Sequence, residues 1–81
     1  MYLVGKIIGT PGIKGEVKVK ADTSFNRFET NNILYLKKND QMIEIKINSH
    51  RKHKNHDLIT FNNYKNINDV LDFVGCEVYT T

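Results

Sequence analysis

The sequence predicts an all-β fold: a small six-stranded, closed or nearly closed β-barrel with one short helix near the C-terminus. Three observations carry this. Short runs rich in Ile and Val alternate with polar residues at a period of two, the pattern of half-buried antiparallel strands. Polar or glycine-bearing turn segments separate those runs at fairly even intervals. A helical period is convincing in one stretch alone, residues 66–75. At 81 residues, 40% hydrophobic and 26% charged, the chain is one ordinary globular domain with a modest core.

The first strand is expected over residues 3–8 and the second over 16–20. In the second, Glu16, Lys18 and Lys20 fall on one side and Val17, Val19 and Ala21 on the other. Gly9, Pro11, Gly12 and Gly15 form the structural turn between them, with Lys14 near its tip. Pro followed by Gly predicts a type II turn at Pro11-Gly12, with Gly12 at positive φ. In the polar connection 22–32, one helical turn would set Phe25 and Phe28 against the barrel and point Arg27 outward. The third strand is read over 33–37, followed by a polar turn at 38–41. In the fourth, 42–47, Ile43, Ile45 and Ile47 face inward, so a slip of one residue would expose all three. That strand continues through 48–51, turns within 52–57 and returns as the fifth over 58–61.

Asn66 is a good N-cap for the helix, and Asp69 stands three residues on, as in a capping box. Ile67, Val70, Leu71 and Val74 make one apolar stripe, and Gly75 is placed to end the helix in a left-handed conformation. Residues 76–80 form the last strand. Phe61, Phe73 and Tyr79 occupy core-compatible positions, and no strand carries an outward pair of aromatics for stacking bases.

The net charge is +3 and its distribution is uneven. No acid lies between Glu44 and Asp57, an interval that holds Lys46, His50, Arg51, Lys52, His53, Lys54 and His56. Lys6, Lys14, Lys18 and Lys20 face only Glu16 in the first twenty residues, and acids dominate from Asp57 onward. A fold with this asymmetry presents a positive region to a polyanion. Arg51, Lys52 and Lys54 on one hairpin and Lys14 on another can neutralise several phosphates, each steepening the log–log salt dependence by ~0.7 to ~0.9.

Catalysis finds little support. The chain lacks H-E-x-x-H, a Walker loop, a nucleophile elbow and a tuned carboxylate pair. Its glycines lead into a strand, whereas a phosphate loop leads into a helix N-terminus. His50, His53 and His56 invite a metal, but residues three apart on a hairpin point to opposite faces, so they read as exposed members of a cationic surface. The single Cys76 cannot form an internal disulfide or a thiol-built zinc site; it fits a reducing cytoplasm and reads as a small buried hydrophobe. No apolar run approaches the ~20 residues of a membrane span, and the N-terminus shows no secretory pattern.

The first hairpin, from Val4-Gly5-Lys6-Ile7-Ile8-Gly9 through Gly12, Gly15-Glu16-Val17 and Val19, resembles the opening of the ribosome maturation factor RimM family, V-G-x-I-x-G-x-x-G-x-x-G-E-V-x-V. Thr23, Arg27 and Phe28 keep the outline of that family's T-D-x-P-x-R-F segment without its Pro. Arg51, His53, Lys54, Leu58 and Phe61 match its R-x-H-K…l-x-F stretch. The helix–strand ending is similar too, with Asp72 and Phe73 departing, and Pro11 stands where the family usually has His. The resemblance covers essentially the whole chain. It implies an N-terminal barrel domain over residues 1–81, with the family's second, PRC-type barrel absent from this chain. It further implies a cytoplasmic monomer without catalysis or cofactor. Such a domain binds the precursor of the small ribosomal subunit, near a ribosomal protein of its head and the adjacent rRNA, and assists assembly and rRNA processing. The partner- or RNA-binding residues it implies are Lys14, Arg27, Arg51, His53 and Lys54. Two other readings remain open: a generic RNA-binding barrel of elongation-factor or OB type, and a small enzyme domain such as a flavin reductase barrel, which would carry a bound cofactor.

Overall fold

Alternating strands bury one face each, and six of them satisfy every strand edge by closing on themselves. The computed structural model describes residues 1–12, 14–21 and 28–81. Its elements are β1 (Tyr2–Gly9), β2 (Val17–Ala21), β3 (Ile33–Lys38), β4 (Gln41–His53), β5 (His56–Phe61), α1 (Ile67–Val70), a 3₁₀ turn (Leu71–Phe73) and β6 (Glu77–Thr80). They form a closed antiparallel barrel in the order β1-β2-β5-β4-β3-β6, which is the predicted architecture. Val4, Ile7, Val17, Val19, Leu34, Leu36, Ile45, Ile47, Ile59, Phe61 and Val78 fill it from the strands, joined by Phe28, Val70, Phe73 and Cys76. Ile43 packs at the margin of this core. Tyr64 and Phe73 meet edge-on with ring centroids 5.1 Å apart, and Phe61 meets Phe73 similarly at 6.4 Å.

Strict alternation is interrupted by bulges. On β1 the register shifts between Leu3 and Gly5 and again between Ile7 and Gly9. The extra residues explain why Val4 and Ile7, three apart, are both buried while Ile8 is exposed. The loop Asn39-Asp40 joins β3 to β4 with both residues at positive φ, 51° and 65°, the requirement of a type I′ hairpin.

Three expectations about the fold are corrected. Gly12 does not carry the positive φ of a type II turn; in this connection that conformation belongs to Gly15, at +78°. The reason is packing. Gly15 is buried against the chain at residues 64–66, where an added Cβ would stand 2.5 Å from the Tyr64 carbonyl oxygen and 2.9 Å from the Asn66 nitrogen. The helix is also shorter than its stripe suggested. Asn66 does cap it, accepting from the N–H groups of Asn68 (2.9 Å) and Asp69 (3.3 Å). The Asp69 carboxylate accepts from Lys65 N–H rather than closing a box on Asn66. After α1 the chain tightens into the 3₁₀ turn, where residues three apart align. Val70 and Phe73 are therefore the buried pair, and Leu71 and Val74 are exposed. Gly75, at φ +93° as expected, donates its N–H to Ile7 O (2.8 Å), and Cys76 O accepts from Ile7 N–H (3.0 Å). These bonds pin the turn to β1 and start β6. A third difference concerns Tyr79, which is half-buried on the outside of β6 and not part of the core.

Candidate nucleic-acid interface

Of the predicted binding residues, Arg51 and His53 reach the outer face of the barrel because of a bulge in β4. Simple alternation from Ile45 and Ile47 would turn Ser49, Arg51 and His53 inward as well. Instead Ile47 pairs with Phe61 and Ser49 with Thr60, so Asn48 is an extra residue and the alternation resets. From there Ser49, Arg51 and His53 lie opposite Thr60, Leu58 and His56 on the outer face, while His50 and Lys52 turn to the inner side opposite Ile59 and Asp57. The Ser49 and Thr60 hydroxyls bond at 2.5 Å, and Asn48 Nδ2 donates to Thr60 Oγ1 at 3.3 Å.

On β2 the outer residues are Lys18 and Lys20, with Lys18 paired to Leu58. Leu58 is 2% exposed though it stands outside the main core, between Lys18 and Arg51. The aliphatic stems of long cations suit such a neighbour. Arg51 Nε donates to Glu16 Oε2 and Nη2 to Glu16 Oε1, both at 3.0 Å. That fork raises the Arg51 pKa, through the hydrogen bonds first and the carboxylate charge second. It leaves the Nη1 edge of the guanidinium for a second anion.

Beside this pair lies an open cleft of about 480 Å³ lined by Pro11, Gly12, Lys14, Glu16, Arg51 and Thr60. The fold thus brings Lys14 and Arg51 to one place. His53 is exposed near the tip of the β4–β5 hairpin, and Lys54 is in the turn itself at φ +54°. Gly9 is half-buried at the end of β1, ahead of the cleft. Arg27 lies outside the described residues, as does Phe25.

The basic run is split by the fold. Asp57, 3% exposed, holds His50 Nε2 at 2.7 Å and Lys52 Nζ at 3.5 Å on the inner side of the hairpin. The Phe28 ring lies against His50, with centroids 5.4 Å apart. Asp57 thus ties part of this run to the barrel, although the Lys52 side chain stays 63% exposed. Lys18, Lys20 and His56, absent from the predicted set, join the outer face instead. Alternation had already placed both lysines outward; what it could not show was that β2 lies beside β5. The histidines are also arranged differently from expectation. His50 is separated, but His53 and His56 are direct cross-strand partners. Among the described residues no group of three or more His, Cys, Asp or Glu could hold a metal ion. Cys76 is buried in the core, and burial pushes its thiol pKa up, Lys38 opposing weakly. What the face offers chemically is charge and N–H donors.

No helix among the described residues is long and apolar enough to cross a membrane. Compared with known proteins, residues 2–81 match the RimM N-terminal domain. The ribosome maturation factors RimM of Bacillus thuringiensis (strain Al Hakam), Bacillus cereus (strain AH187) and Bacillus anthracis are each 45% identical over 78 residues, covering 91% of this chain and 46% of theirs. The chain therefore spans about half the length of the curated relatives it matches. A crystal structure of the 16S ribosomal RNA processing protein RimM from Pseudomonas aeruginosa superposes with a TM-score of 0.84 at 22% identity, covering 98% of this chain and 49% of that one, and shares the fold. With a matching domain model over nearly every residue and relatives at this identity, the chain belongs to the RimM N-terminal domain family of ribosome maturation factors.

Proposed function

We propose that this domain binds the immature small ribosomal subunit and assists its assembly and 16S rRNA processing without covalent chemistry. Its relatives carry the name ribosome maturation factor, and the solved structure of the same fold that of a 16S ribosomal RNA processing protein. The observation that carries the reading is the one-sided outer face of β2, β5 and β4. There Lys18, Lys20, Arg51, His53 and Lys54 lie together, Lys14 adjoins across the cleft, and Glu16 is forked to Arg51. Backbone phosphates of rRNA beside a ribosomal protein of the subunit head are the intended contacts, with the domain acting as a monomer in the cytoplasm. A factor that binds the assembly-competent arrangement more tightly shifts the population toward it and leaves when its site changes.

Sedimentation of the chain with precursor and mature small subunits tests this. Co-migration with precursors alone, weakened by Arg51→Glu with Lys54→Glu, is the expected result. Equal binding to precursor, mature subunit and unrelated RNA would favour the generic RNA-binding barrel. Association untouched by both charge reversals would remove this face as the contact.

A further inference from the structure

The barrel has a second distinctive side, diametrically across from the cationic one. Strands β1, β6 and β3 are consecutive in the closed order, opposite β2, β5 and β4. Their outer residues run in register: Leu3 lies beside Tyr79, and Tyr79 beside Tyr35. Ile33, two residues along β3 from Tyr35, extends the row. Leu3 is 51% exposed and Ile33 42%. Two tyrosines and two aliphatics side by side make a face that is apolar where its opposite is charged. Around it stand Lys6 beside Glu77, Glu77 beside Lys37, and Glu44 beside Tyr35. Both signs alternate in that border, which suits a protein surface better than a polyanion. Aromatic residues in the middle with charges at the edge is the usual layout of a protein contact.

We propose that this face seats the C-terminal half that accompanies the domain in its longer relatives. Two observations select that occupant. The curated relatives are about twice as long as the stretch they share with this chain, which covers 46% of them and matches a family described as N-terminal. The chain also leaves the barrel from β6, the middle strand of this face, so a polypeptide continuing past Thr80 starts at the border of the row. Seating there leaves the β2–β5–β4 face uncovered. This inference rests on family membership and geometry, not on what the cationic face binds.

The test compares side-chain accessibility by hydroxyl-radical labelling in two proteins. One is the 81-residue chain. The other is the full-length Bacillus cereus relative with residues 2–81 of this chain in place of its matching stretch. Labelling of Leu3, Tyr35 and Tyr79 is expected to fall several-fold in the longer protein, with His53 unchanged. Leu3→Asp with Tyr35→Ser should restore Tyr79 labelling there, while circular dichroism of the same double variant in the 81-residue chain keeps the barrel signature. Should the hybrid not fold, the unaltered relative is labelled at the residues aligned with these three, and protection there supports the proposal equally. Unchanged labelling in the longer protein overturns it. Concentration-dependent dimers of the 81-residue chain that Leu3→Asp abolishes would also overturn it, assigning the face to a second copy; protection gained only on adding RNA would assign it to nucleic acid.

Discussion

Gly15→Ala and Gly12→Ala should behave as opposites, although both residues sit in one short connection. At Gly15 the φ of +78° costs an L-residue roughly 1–2 kcal/mol. The new Cβ would also stand 2.5 Å from Tyr64 O, 2.9 Å from Asn66 N and 3.0 Å from Lys65 C, all of them backbone atoms that cannot swing aside. Relieving such overlap adds about 1–3 kcal/mol, by analogy with overpacked cores. The sum is about 2–5 kcal/mol, against a total stability of about 4–12 kcal/mol for a chain of 81 residues. For a domain of this size that corresponds to a Tm lowered by about 8–40 °C. At Gly12 an added Cβ meets nothing within 4 Å and φ is not in the left-handed range. Gly12→Ala should therefore leave Tm within a few degrees of the parent, or raise it slightly by restricting the unfolded chain. Thermal unfolding followed by far-ultraviolet circular dichroism reads both variants. Were Gly12→Ala to fall as far as Gly15→Ala, or Gly15→Ala to lose less than about 5 °C by the same scaling, the packing of this connection against residues 64–66 would be refuted.

Other perturbations test separate parts of the fold. Asp40→Gly should stabilise the barrel by about 0.5–1 kcal/mol, because Gly accepts the +65° φ of the β3–β4 turn; a destabilised variant in urea unfolding would count against the type I′ geometry. Pro11→His should leave Tm almost unchanged, since Pro11 is exposed at the rim of the cleft; a large drop would mean that the ring fixes the connection. Tyr79 should ionise late in an alkaline absorbance titration. Its hydroxyl donates to Glu77 Oε1 at 3.1 Å, and that bond, then burial, then the carboxylate charge raise its pKa. The folded-state value lies above the unfolded one, so the stabilisation is complete below the ordinary tyrosine range and is lost as pH climbs through the raised value. Glu77→Gln should bring the late component down; an unaltered titration would exclude the bond.

Much of the barrel was legible because its strands obey period two: Val17 and Val19, Ile45 and Ile47 are buried where alternation put them. The binding side was only half legible. Lys18 and Lys20 showed an outward face, but which strands flank β2 is a property of closure over long sequence separations, and no local pattern encodes it. The bulges at Val4, Ile8 and Asn48 were invisible for a related reason, since each is defined by the partner strand. Without the third, His50, Arg51 and Lys52 read as one charge run, when buried Asp57 in fact claims two of them. The stripe in residues 66–75 misled because Val70 and Leu71 fit an α-helix equally well. The docking of Gly75 and Cys76 onto Ile7 decided for a 3₁₀ turn instead.

The extra residue at Asn48 also bears on how this arm could change over time. Removing that one amino acid would keep Ile47 opposite Phe61 and Ser49 opposite Thr60 in a regular ladder and so preserve the outward side of Arg51 and His53, whereas keeping it without the bulge would send both toward the barrel mouth. Lengthening the arm by two residues, by contrast, keeps every side chain in phase and carries Lys54 roughly 7 Å further out. Reach in this domain can thus be adjusted in steps of two, and a single added residue keeps what the arm displays when a bulge of this kind takes it up.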